Sequence, residues 1–386
     1  MEHCDENPSL KLDEDWQVIE SLMPQGWMEM ARELGAFTRT RGFADPRALL
    51  RVMLIHLAEG CGLRETAARA GLAGLANVSD VALLKRLKSC EQWFEWLVLQ
   101  LLEPLKPRDP GAQVPTVGRP LGARRLRVVD GSIVHEPGPS GSQWRLHYAI
   151  GLPRLECQEV HVKPHTDGET LKRFSVHEGD VFVADRGYAQ ASGIAHVVEQ
   201  GGDVIVRLNL VTLPLYLPDT AQRFDILEHV RGLGMGEICS WAVSLRPKDG
   251  KPIAGRLCAV RKSAAAADKA RKRARRESQR GSHKLRPETL EAAEYVFVFT
   301  TLAEEVTAEQ VLSVYRMRWQ IELEFKRLKS LVNIGHLKKH DPQAARSWLQ
   351  GKLLVAMLVA RLIDHAERIS PWGYDIRALQ QVQPMA

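Results

Sequence analysis

Residues 125–134 read RLRVVDGSIV, and two further short runs follow them, RLHYAIGL (145–152) and CQEVHVKPH (157–165). All three have the apolar and β-branched composition of strands. A polar segment with helical character comes next, then the run VFVADRGY (181–188), a second helical segment and the strand-like run DVIVRLNL (203–210). Three strands followed by alternating helices and strands predict an α/β fold in which helices pack on a mixed sheet.

The regions on either side of this core have different patterns. Residues 15–103 repeat apolar side chains at spacings of three and four, which predicts helices. Prolines and glycines between Pro104 and Gly122 mark a linker. Short strand-like runs then break the alternation, which indicates a β-rich insertion. The predicted division is a helical N-terminal domain at 1–110, the first part of the sheet core at 123–209, the insertion at 210–300, a helix completing the core at 301–337 and a helical C-terminal region at 338–386.

Length and composition exclude several classes of protein. A chain of 386 residues is long enough for two or three domains, and 45% hydrophobic with 26% charged residues is typical of a folded globular protein. The sequence lacks an 18-residue uncharged apolar window, and its first residues are acidic where a signal peptide is basic. Six scattered cysteines without a CxxC pair indicate neither a zinc cage nor disulfides. We therefore expect a cytoplasmic protein without membrane contact.

The net charge of +6 is unevenly distributed. Residues 1–33 hold nine acidic and two basic side chains, whereas residues 269–286 hold nine basic and one acidic. Without that second segment the chain would carry a net charge of −2. The positive charge is thus concentrated in a basic arm, which is either a solvated loop or, as its charge favours, a segment that contacts the DNA backbone without sequence specificity.

Segment 62–88 resembles two helices separated by a glycine-containing break. Ser79 is placed to cap the second helix, which carries Lys85, Arg86 and Lys88. Two structures fit this pattern equally well. One is a helix-turn-helix that reaches into DNA, and the other is an ordinary pair of antiparallel helices.

A long helix is predicted to begin after Thr307, because Thr307 and Gln310 have the spacing of a capping box. It contains YRMRWQIELEFKRLK (315–329), in which five polar side chains fall in one stripe about 80° wide at about 100° per residue. These are Tyr315, Arg318, Glu322, Lys326 and Lys329. A solvated charged face is the common explanation. However, aromatic residues border the stripe, and its one carboxylate lies among cations. These two features favour a site that binds phosphates beside a metal ion.

Two aspartates follow apolar strands of the predicted core. Asp130 comes after LRVV and before a glycine, and Asp185 follows VFVA and precedes Arg186 and Gly187. Each could simply form a turn or a cap. Carboxylates at or near two strand ends, together with Glu322, could also hold two Mg²⁺ ions about 3.5 to 4 Å apart, which serves phosphodiester chemistry. Hard oxygen ligands favour Mg²⁺ over zinc, and the sequence contains no HExxH motif.

The spacing of Tyr315, Arg318, Glu322 and Lys329 is Y-(2)-R-(3)-E-(6)-K, where the numbers count the intervening residues. It resembles the signature of the cut-and-paste DDE transposases of bacterial insertion sequences, in the insertion sequence four family. VVDGS and VADRGYA resemble the motifs around that family's first two catalytic aspartates. Separations of 55 and 137 residues between the three carboxylates suit a family whose second gap houses a β-rich insertion. The resemblance extends from residue 124 to residue 360.

This resemblance implies a ribonuclease H-like core. The helical pattern of residues 1–110 predicts an all-α N-terminal domain, for which we expect binding of DNA ends. The three carboxylates would be catalytic and bind two Mg²⁺ ions, for which Mn²⁺ can substitute, and the other signature residues would contact DNA phosphates. The assignments are Asp130, Asp185 and Glu322 for catalysis and metal binding, and Tyr315, Arg318, Lys326 and Lys329 for phosphates. The implied partners are double-stranded DNA, which includes the terminal inverted repeats and the target, and a second copy of the chain in a synaptic homodimer. The resemblance also implies a bacterial protein associated with the nucleoid.

In such enzymes water cuts one strand, the new 3′-hydroxyl attacks the opposite strand to form a hairpin, and the 3′-ends are joined to target DNA after the hairpin is opened. A hairpin requires a flipped base, held by an aromatic ring. Relatives place a tryptophan shortly before the signature tyrosine. Here the nearest aromatic residue is Tyr295, which either holds the base or is a residue of the sheet. The basic arm has no part in the signature, and its charge makes Arg271, Lys272, Arg273, Arg275 and Arg276 the candidate DNA contacts.

Two other functions stay open at this point. A transposase-derived DNA-binding protein would keep the fold without cleaving DNA, and a structure-selective nuclease of similar fold would cut branched DNA without inverted repeats. The intact set of carboxylates favours an active transposase over the first of these.

Overall fold

The computed structural model describes residues 16–102, 121, 124–135, 143–152, 156–248, 250–281, 284–334, 337 and 341–369. Most of the acidic N-terminal segment, nearly all of the predicted linker and the last residues of the C-terminal region lie outside these ranges. The described residues form two compact units. The sheet unit comprises the described parts of 107–132 and 146–325, and the helical unit those of 1–106, 133–145 and 326–386.

One eight-stranded mixed sheet runs through the middle of the chain, in the order β3-β2-β1-β4-β5-β8-β7-β6. β1 with β4 and β4 with β5 are parallel pairs, whereas β5–β8, β8–β7 and β7–β6 are antiparallel. The strands are β1 (Arg125–His135), β2 (Gln143–Leu152), β3 (Glu156–Pro164), β4 (Asp180–Ala184), β5 (Asp203–Arg207), β6 (Ile238–Leu245), β7 (Ile253–Arg261) and β8 (Tyr295–Thr300). The predicted mixed sheet is confirmed, and its order is consistent with a ribonuclease H-like core.

Helices flank the sheet and make up most of the helical unit. Those before the sheet are α1 (Trp27–Glu33), α2 (Pro46–Ala58), α3 (Leu63–Leu72), α4 (Asp80–Ser89) and α5 (Glu91–Leu102). The others are α6 (Ala191–Glu199), α7 (Ile226–Val230), α8 (Ala264–Arg280), α9 (Pro287–Ala292), α10 (Ala308–Arg316), α11 (Trp319–Leu331) and α12 (Pro342–Ile369). The helical N-terminal region is therefore confirmed. In the described part of the chain, every helix is too short or too polar to cross a bilayer.

The centre of the sheet is buried on both faces. All five residues of β4 are buried, as expected of a parallel strand covered by helices on each side. The Phe174 ring lies 6.3 Å from the rings of Phe182 in β4 and Tyr188 just after it, measured between centroids. This aromatic contact fixes the chain where it leaves β4, which is where Asp185 lies.

The predicted insertion continues the same sheet, since β8 pairs with β5 and β7 with β8. Between β7 and β8 the basic arm is helical over α8, in place of the solvated loop that was one of its two expected forms. The cause is local: Ser263 caps the helix by accepting a hydrogen bond from the Ala266 amide, and the segment is composed mainly of alanine, arginine and lysine. These residues have high helix propensity.

α12 packs against α2, α4 and α5 within the helical unit. Its Gly351 is required by close approach, because a Cβ there would lie 2.5 Å from Leu57 Cδ1 and 3.2 Å from a ring carbon of Phe94. Ser347 Oγ donates to the Leu87 carbonyl at 2.5 Å, and Arg361 donates to the Leu101 carbonyl. The described part of the C-terminal region thus joins the helices at the N-terminus of the chain.

Two predicted helix caps are confirmed. Ser79 accepts a hydrogen bond from the Ala82 amide at the start of α4. Thr307 and Gln310 form the reciprocal capping box at the start of α10. Both caps satisfy amide groups that have no partner within the helix, so these helices begin where the sequence placed them.

A buried ion-pair network joins β3 to the β1–β4 pair. The Arg127 guanidinium lies 2.7 Å from Glu159 and 3.2 Å from Asp180, and Arg127 and Asp180 are both buried. Glu159 also accepts hydrogen bonds from His161 and the Ser175 hydroxyl. Burial alone would raise the pKa of Glu159, but these hydrogen bonds outweigh it and lower the pKa to about 2.

We expect Glu159→Gln to lower the free energy of unfolding at pH 7 by about 2 kcal/mol, because the variant loses a charge that the folded state stabilises. Because the pKa of Glu159 is lower in the folded state, its carboxylate stabilises the fold at pH values above the unfolded pKa near 4.5. This stabilisation is lost as the pH falls toward 2. The stability difference between wild type and variant should therefore shrink over that interval. Urea unfolding at several pH values measures it.

The matched control for this prediction is Glu199→Gln, which removes an exposed carboxylate from α6. Surface substitutions of this kind change stability by no more than about 0.5 kcal/mol. An equal effect of both substitutions at pH 7 would contradict the role of the buried network.

Candidate active site

Three polar side chains lie in one row across the centre of the sheet. β1 with β4 and β4 with β5 are parallel and in defined register. The last paired residues are Val128 with Val183 and Ala184 with Val206. If the registers continue beyond these pairs, Asp130 lies opposite Asp185 and Asp185 opposite Arg207. Residues in register on neighbouring strands point to the same face and are about 5 Å apart. The sheet itself therefore brings together the two aspartates and adds an arginine.

Asp130 lies inside β1, not at the end of a strand as the sequence suggested. β1 continues to His135, but its pairing with β4 ends at Val128, so Asp130 still lies beyond the paired segment. Its carboxylate accepts a hydrogen bond from the Gly131 amide at 2.8 Å. Burial, helped by the charges of Asp185 and Glu169, raises the pKa of Asp130 to about 7 against the opposing effects of the Gly131 amide and Arg318.

Asp185 directly follows β4 and begins a 3₁₀ helix at Arg186–Tyr188. Its Oδ1 accepts a hydrogen bond from the Gly187 amide at 2.8 Å. The capping role that the sequence allowed for this residue is thus present, and it holds the carboxylate in place beside Asp130.

Glu322 lies in the first turn of α11 and reaches the row through Arg318. Arg318 donates to Glu322 Oε1 at 2.5 Å and lies 3.4 Å from Asp130 Oδ2. The side chains of Arg318 and Asp130 are 17% and 16% exposed, whereas that of Glu322 is 54% exposed. One guanidinium therefore neutralises two of the three predicted catalytic carboxylates.

Tyr315 connects the same arginine to the other end of the row. Its side chain is half-buried. Burial raises the pKa of the Tyr315 hydroxyl, while the nearby guanidinium groups of Arg207 and Arg318 act in the opposite direction. Tyr315 thus lies close to both arginines.

The single helix predicted from Thr307 is in fact two helices, α10 and α11, separated by Met317 and Arg318. At the junction, backbone amides bond to carbonyls three residues earlier, from Arg318 to Tyr315 and from Ile321 to Arg318. Such bonds tighten the turn. The predicted spacing of about 100° per residue does not hold across this junction, so the stripe is divided and Arg318 lies at the turn.

Lys326 and Lys329 lie on the rest of α11, and both are exposed. They belong to the helical unit, whereas Tyr315, Arg318 and Glu322 belong to the sheet unit. The signature residues are therefore divided between the two compact units.

Further cations lie near Arg207 that sequence reasoning did not identify. Lys262 follows β7, is half-buried and donates a hydrogen bond to the Ala293 carbonyl. Burial, together with the charges of Arg207 and Arg186, lowers the pKa of Lys262 to about 8. One signal could have found Arg207, because it follows the apolar run DVIV as Asp185 follows VFVA. No comparable pattern marks Lys262.

The cations of α8 lie on two faces of that helix. Arg271 faces the protein, where it pairs with Asp268 and with Glu294 Oε1 at 2.5 Å. The exposed cations are Lys269, Lys272, Arg273, Arg275, Arg276 and Arg280. A hydrogen bond from Arg273 is the main cause that lowers the pKa of Glu277, and Arg186 contributes through its charge. The exposed face of α8 therefore extends toward the segment that follows Asp185.

The two aromatic residues near these elements differ in exposure. Tyr295 is only 4% exposed, and its ring stacks on Phe297 with centroids 5.8 Å apart, which is the environment of a sheet residue. Trp319 follows Arg318 directly and is 52% exposed. Of the two rings, only that of Trp319 is open to a ligand.

The carboxylates do not form a closed ligand set in this conformation. Among the described residues, no three histidine, cysteine, aspartate or glutamate side chains are close enough together to hold a metal ion. Arg318, paired with both Asp130 and Glu322, provides the positive charge between them.

Comparisons with known proteins give a consistent result. A family model described as Transposase DDE domain matches residues 160–358, a range that includes Asp185 and Glu322. The protein named transposase InsL for insertion sequence element IS186A, from Escherichia coli (strain K12), is 35% identical over 359 residues, which are 91% of this chain and 94% of that protein. The transposase for insertion sequence element IS421, from Escherichia coli, is 35% identical over 247 residues, 62% of this chain and 66% of that protein. The catalytic domain of human Endonuclease V aligns with 64% of this chain over 96% of its own length, at 14% identity and a TM-score of 0.25. A TM-score this low indicates neither a shared fold nor a shared function.

Proposed function

Because this chain belongs to the family of transposases with a DDE domain, we propose that it is a cut-and-paste transposase of the insertion sequence four type. The observation that carries the proposal is the row of Asp130 and Asp185, joined through Arg318 to Glu322. The proposed substrates are double-stranded DNA with the terminal inverted repeats of the element, and target DNA. The Y-(2)-R-(3)-E-(6)-K spacing supports assignment to this type.

The chemistry of the donors fits a hard divalent cation, because all three proposed ligands are carboxylates and Asp130 is buried beside two further acidic side chains. We propose that Asp130, Asp185 and Glu322 hold two Mg²⁺ ions, for which Mn²⁺ can substitute. When bound, such ions activate an attacking oxygen and stabilise the leaving oxygen of a phosphodiester.

Arg318 would have two roles in this mechanism. It pairs with Asp130 and Glu322 and neutralises their charge. The ions would supply positive charge to those carboxylates, and the Arg318 guanidinium would contact a DNA phosphate through two donors. Tyr315, which lies near Arg207 and Arg318, would add a phosphate contact, and Lys326 and Lys329 would contribute further phosphate contacts from α11.

The proposed reaction is a series of in-line transfers at phosphorus. Water attacks the phosphodiester at the transposon end, and a 3′-hydroxyl leaves. That hydroxyl then attacks the phosphodiester of the opposite strand, the flanking DNA leaves through its 3′-oxygen, and a hairpin forms. A second water attacks the hairpin phosphodiester and releases the 3′-hydroxyl, which then attacks a phosphodiester of target DNA and displaces a target 3′-oxygen. No covalent bond to the protein is formed in this series.

We expect Asp130→Ala, Asp185→Ala and Glu322→Ala each to reduce cleavage of DNA carrying the inverted repeats by at least about a hundredfold, since each removes a carboxylate from the charge-stabilising site. DNA binding should be largely retained. Cleavage is measured on labelled ends in Mg²⁺, with Glu199→Gln, an exposed carboxylate on α6, as the control that keeps wild-type activity.

The same assay tests the alternatives. Undiminished cleavage by any of the three variants would contradict the proposed catalytic site. Cleavage of branched DNA regardless of the repeats would favour a structure-selective nuclease. Binding without cleavage by the unmodified protein would favour a DNA-binding protein derived from a transposase.

The exposed face of α8 is proposed to contact the DNA backbone near the catalytic row. Six exposed cations on one helix form a strong positive surface, and Glu277 responds to the charge of Arg186, which directly follows Asp185. Arg271 is used instead to attach the helix through Glu294. Phosphate contacts of this kind give affinity without sequence specificity.

We expect the double variant Lys272→Gln/Arg276→Gln to bind DNA less tightly and to reduce the slope of log affinity against log salt by about 1.8, because each lost phosphate contact lowers the slope by about 0.9. Arg271→Gln is the matched control, since it removes one charge from the inner face and should leave the slope unchanged. An equal slope for the wild type and the double variant would exclude these contacts.

Trp319 is the side chain that we propose for the flipped base of a hairpin. Its ring is exposed next to Arg318, whereas Tyr295 is buried in the sheet. Stacking of a base on an aromatic ring contributes about 1 to 3 kcal/mol. That energy would offset part of the cost of unstacking the base at a sharply bent strand.

We expect Trp319→Ala to slow hairpin formation about tenfold while first-strand nicking continues, because only the bent intermediate requires the stacked base. Trp319→Phe keeps a ring and should retain most of the activity. The measurement resolves nicked, hairpin and blunt products on a denaturing gel. An equal loss of nicking and hairpin formation in the alanine variant would contradict this role.

Joining of two ends implies a synaptic homodimer, and we propose the helical unit for end binding and for this contact. Leu99 on α5 and Val359 and Ile363 on α12 are exposed apolar side chains of that unit. On α4, Lys88 pairs with Asp341 and Arg86 donates to the Arg39 carbonyl, while Lys85 is exposed.

A further inference from the structure

Glu169, an acidic residue outside the signature, lies beside the catalytic row. It is half-buried in the loop between β3 and the 3₁₀ helix that begins at Leu171. Gln190 Nε2 donates to the Glu169 backbone carbonyl at 2.8 Å and also to the Gly187 carbonyl. The next residue, Thr170, caps the 3₁₀ helix. These bonds attach the loop to the segment that follows Asp185.

The Glu169 carboxylate lies directly over Gly187. A Cβ added at Gly187 would overlap Glu169 Oε2 and would lie 3.2 Å from Asp185 Oδ1. Two carboxylates therefore approach the same α-carbon. With glycine at this position, the Glu169 side chain can lie next to Asp185 in the arrangement observed.

The charge of Glu169 also reaches Asp130. Glu169 and Asp185 both act on the Asp130 carboxyl through their charges. The three acidic side chains come from three segments of the sheet unit, which are β1, the end of β4 and the loop after β3. Repulsion among them costs folding free energy, which a bound divalent cation would offset.

We propose that Glu169 is a fourth carboxylate of the metal-binding site, next to Asp185. This inference rests on the proposed function. It assigns different positions to the acidic residues: Asp130, Asp185 and Glu169 belong to the sheet and its loops, whereas Glu322 lies on α11 and pairs with Arg318.

Metal binding is measured directly, without DNA, by the loss of the free Mn²⁺ signal in electron paramagnetic resonance of the full chain. We expect Glu169→Gln to bind Mn²⁺ about tenfold more weakly, or to lose one of two ions, because a lost partner in a metal site typically costs about 10- to 100-fold in affinity. Asp167→Asn is the matched control, since Asp167 is an exposed acidic residue of the same loop and should bind as the wild type does. In cleavage assays, the Mg²⁺ concentration for half-maximal rate should rise about tenfold for Glu169→Gln only.

The outcomes separate this inference from the proposed function. If Asp185→Asn loses Mn²⁺ affinity and Glu169→Gln does not, the role of Glu169 is wrong and the proposed function stands. If Asp130→Asn, Asp185→Asn and Glu322→Gln all bind Mn²⁺ as the wild type does, the metal site itself is wrong. Unfolding temperatures in a chelator establish whether each variant is folded.

A measurement on the wild-type chain keeps the proposal falsifiable if Glu169→Gln does not fold. Fe²⁺ replaces Mg²⁺, and ascorbate with peroxide generates hydroxyl radicals that cut the backbone close to the bound ion. Cuts at residues 166–171 in addition to those near Asp130 and Asp185 support the proposal. Cuts near the two aspartates alone would overturn it.

Discussion

The parallel pairing of β4 with β1 on one side and β5 on the other is the constraint on which the rest of the site depends. It places Asp130, Asp185 and Arg207 in one row on one face. A shift of one residue in either register would turn the affected side chain to the other face of the sheet. The fully buried β4 resists such a shift, because its apolar side chains and the contact of Phe174 with Phe182 and Tyr188 hold the strand in place. The active-site geometry is therefore a consequence of core packing.

Charge balance is the second constraint. Asp130 and Asp185 act on one another through their charges, Arg318 pairs with Asp130, and Tyr315 lies near Arg207 and Arg318. Such an arrangement suits a substrate whose phosphates are anionic and whose reacting centre requires divalent cations. The guanidinium of Arg318 pairs with Asp130 and Glu322 and so reduces the repulsion between these carboxylates. The junction between α10 and α11 makes this contact, because the tight turn at Met317 and Arg318 directs the arginine to the sheet.

The additional strands extend this core. β8 pairs with β5, so the strands of the predicted insertion are part of the sheet that carries Asp130, Asp185 and Arg207. α8 is attached to that sheet through Arg271 and Glu294, which leaves its other cations exposed. A helix holds positive charges at regular spacing with less loss of entropy on binding than a loop would suffer. Three features thus serve one proposed activity: the row, the α10–α11 junction and the exposed face of α8.

Sequence alone determined the fold class, most strand positions, the helix caps at Ser79 and Thr307, and the candidate carboxylates, because these depend on local periodicity, capping chemistry and spacing along the chain. Arg207, Lys262 and Glu169 were not predicted, since each reaches the site through strand register or a loop contact between residues far apart in sequence. The division of the helix at Met317 and Arg318 was also missed, because the segment contains no proline or glycine to mark it. Only the tertiary structure decided which cations of the basic arm face solvent and that Arg318 bridges Asp130 and Glu322. The physical reason is that side-chain pairing across a sheet depends on register and burial, which no local pattern encodes.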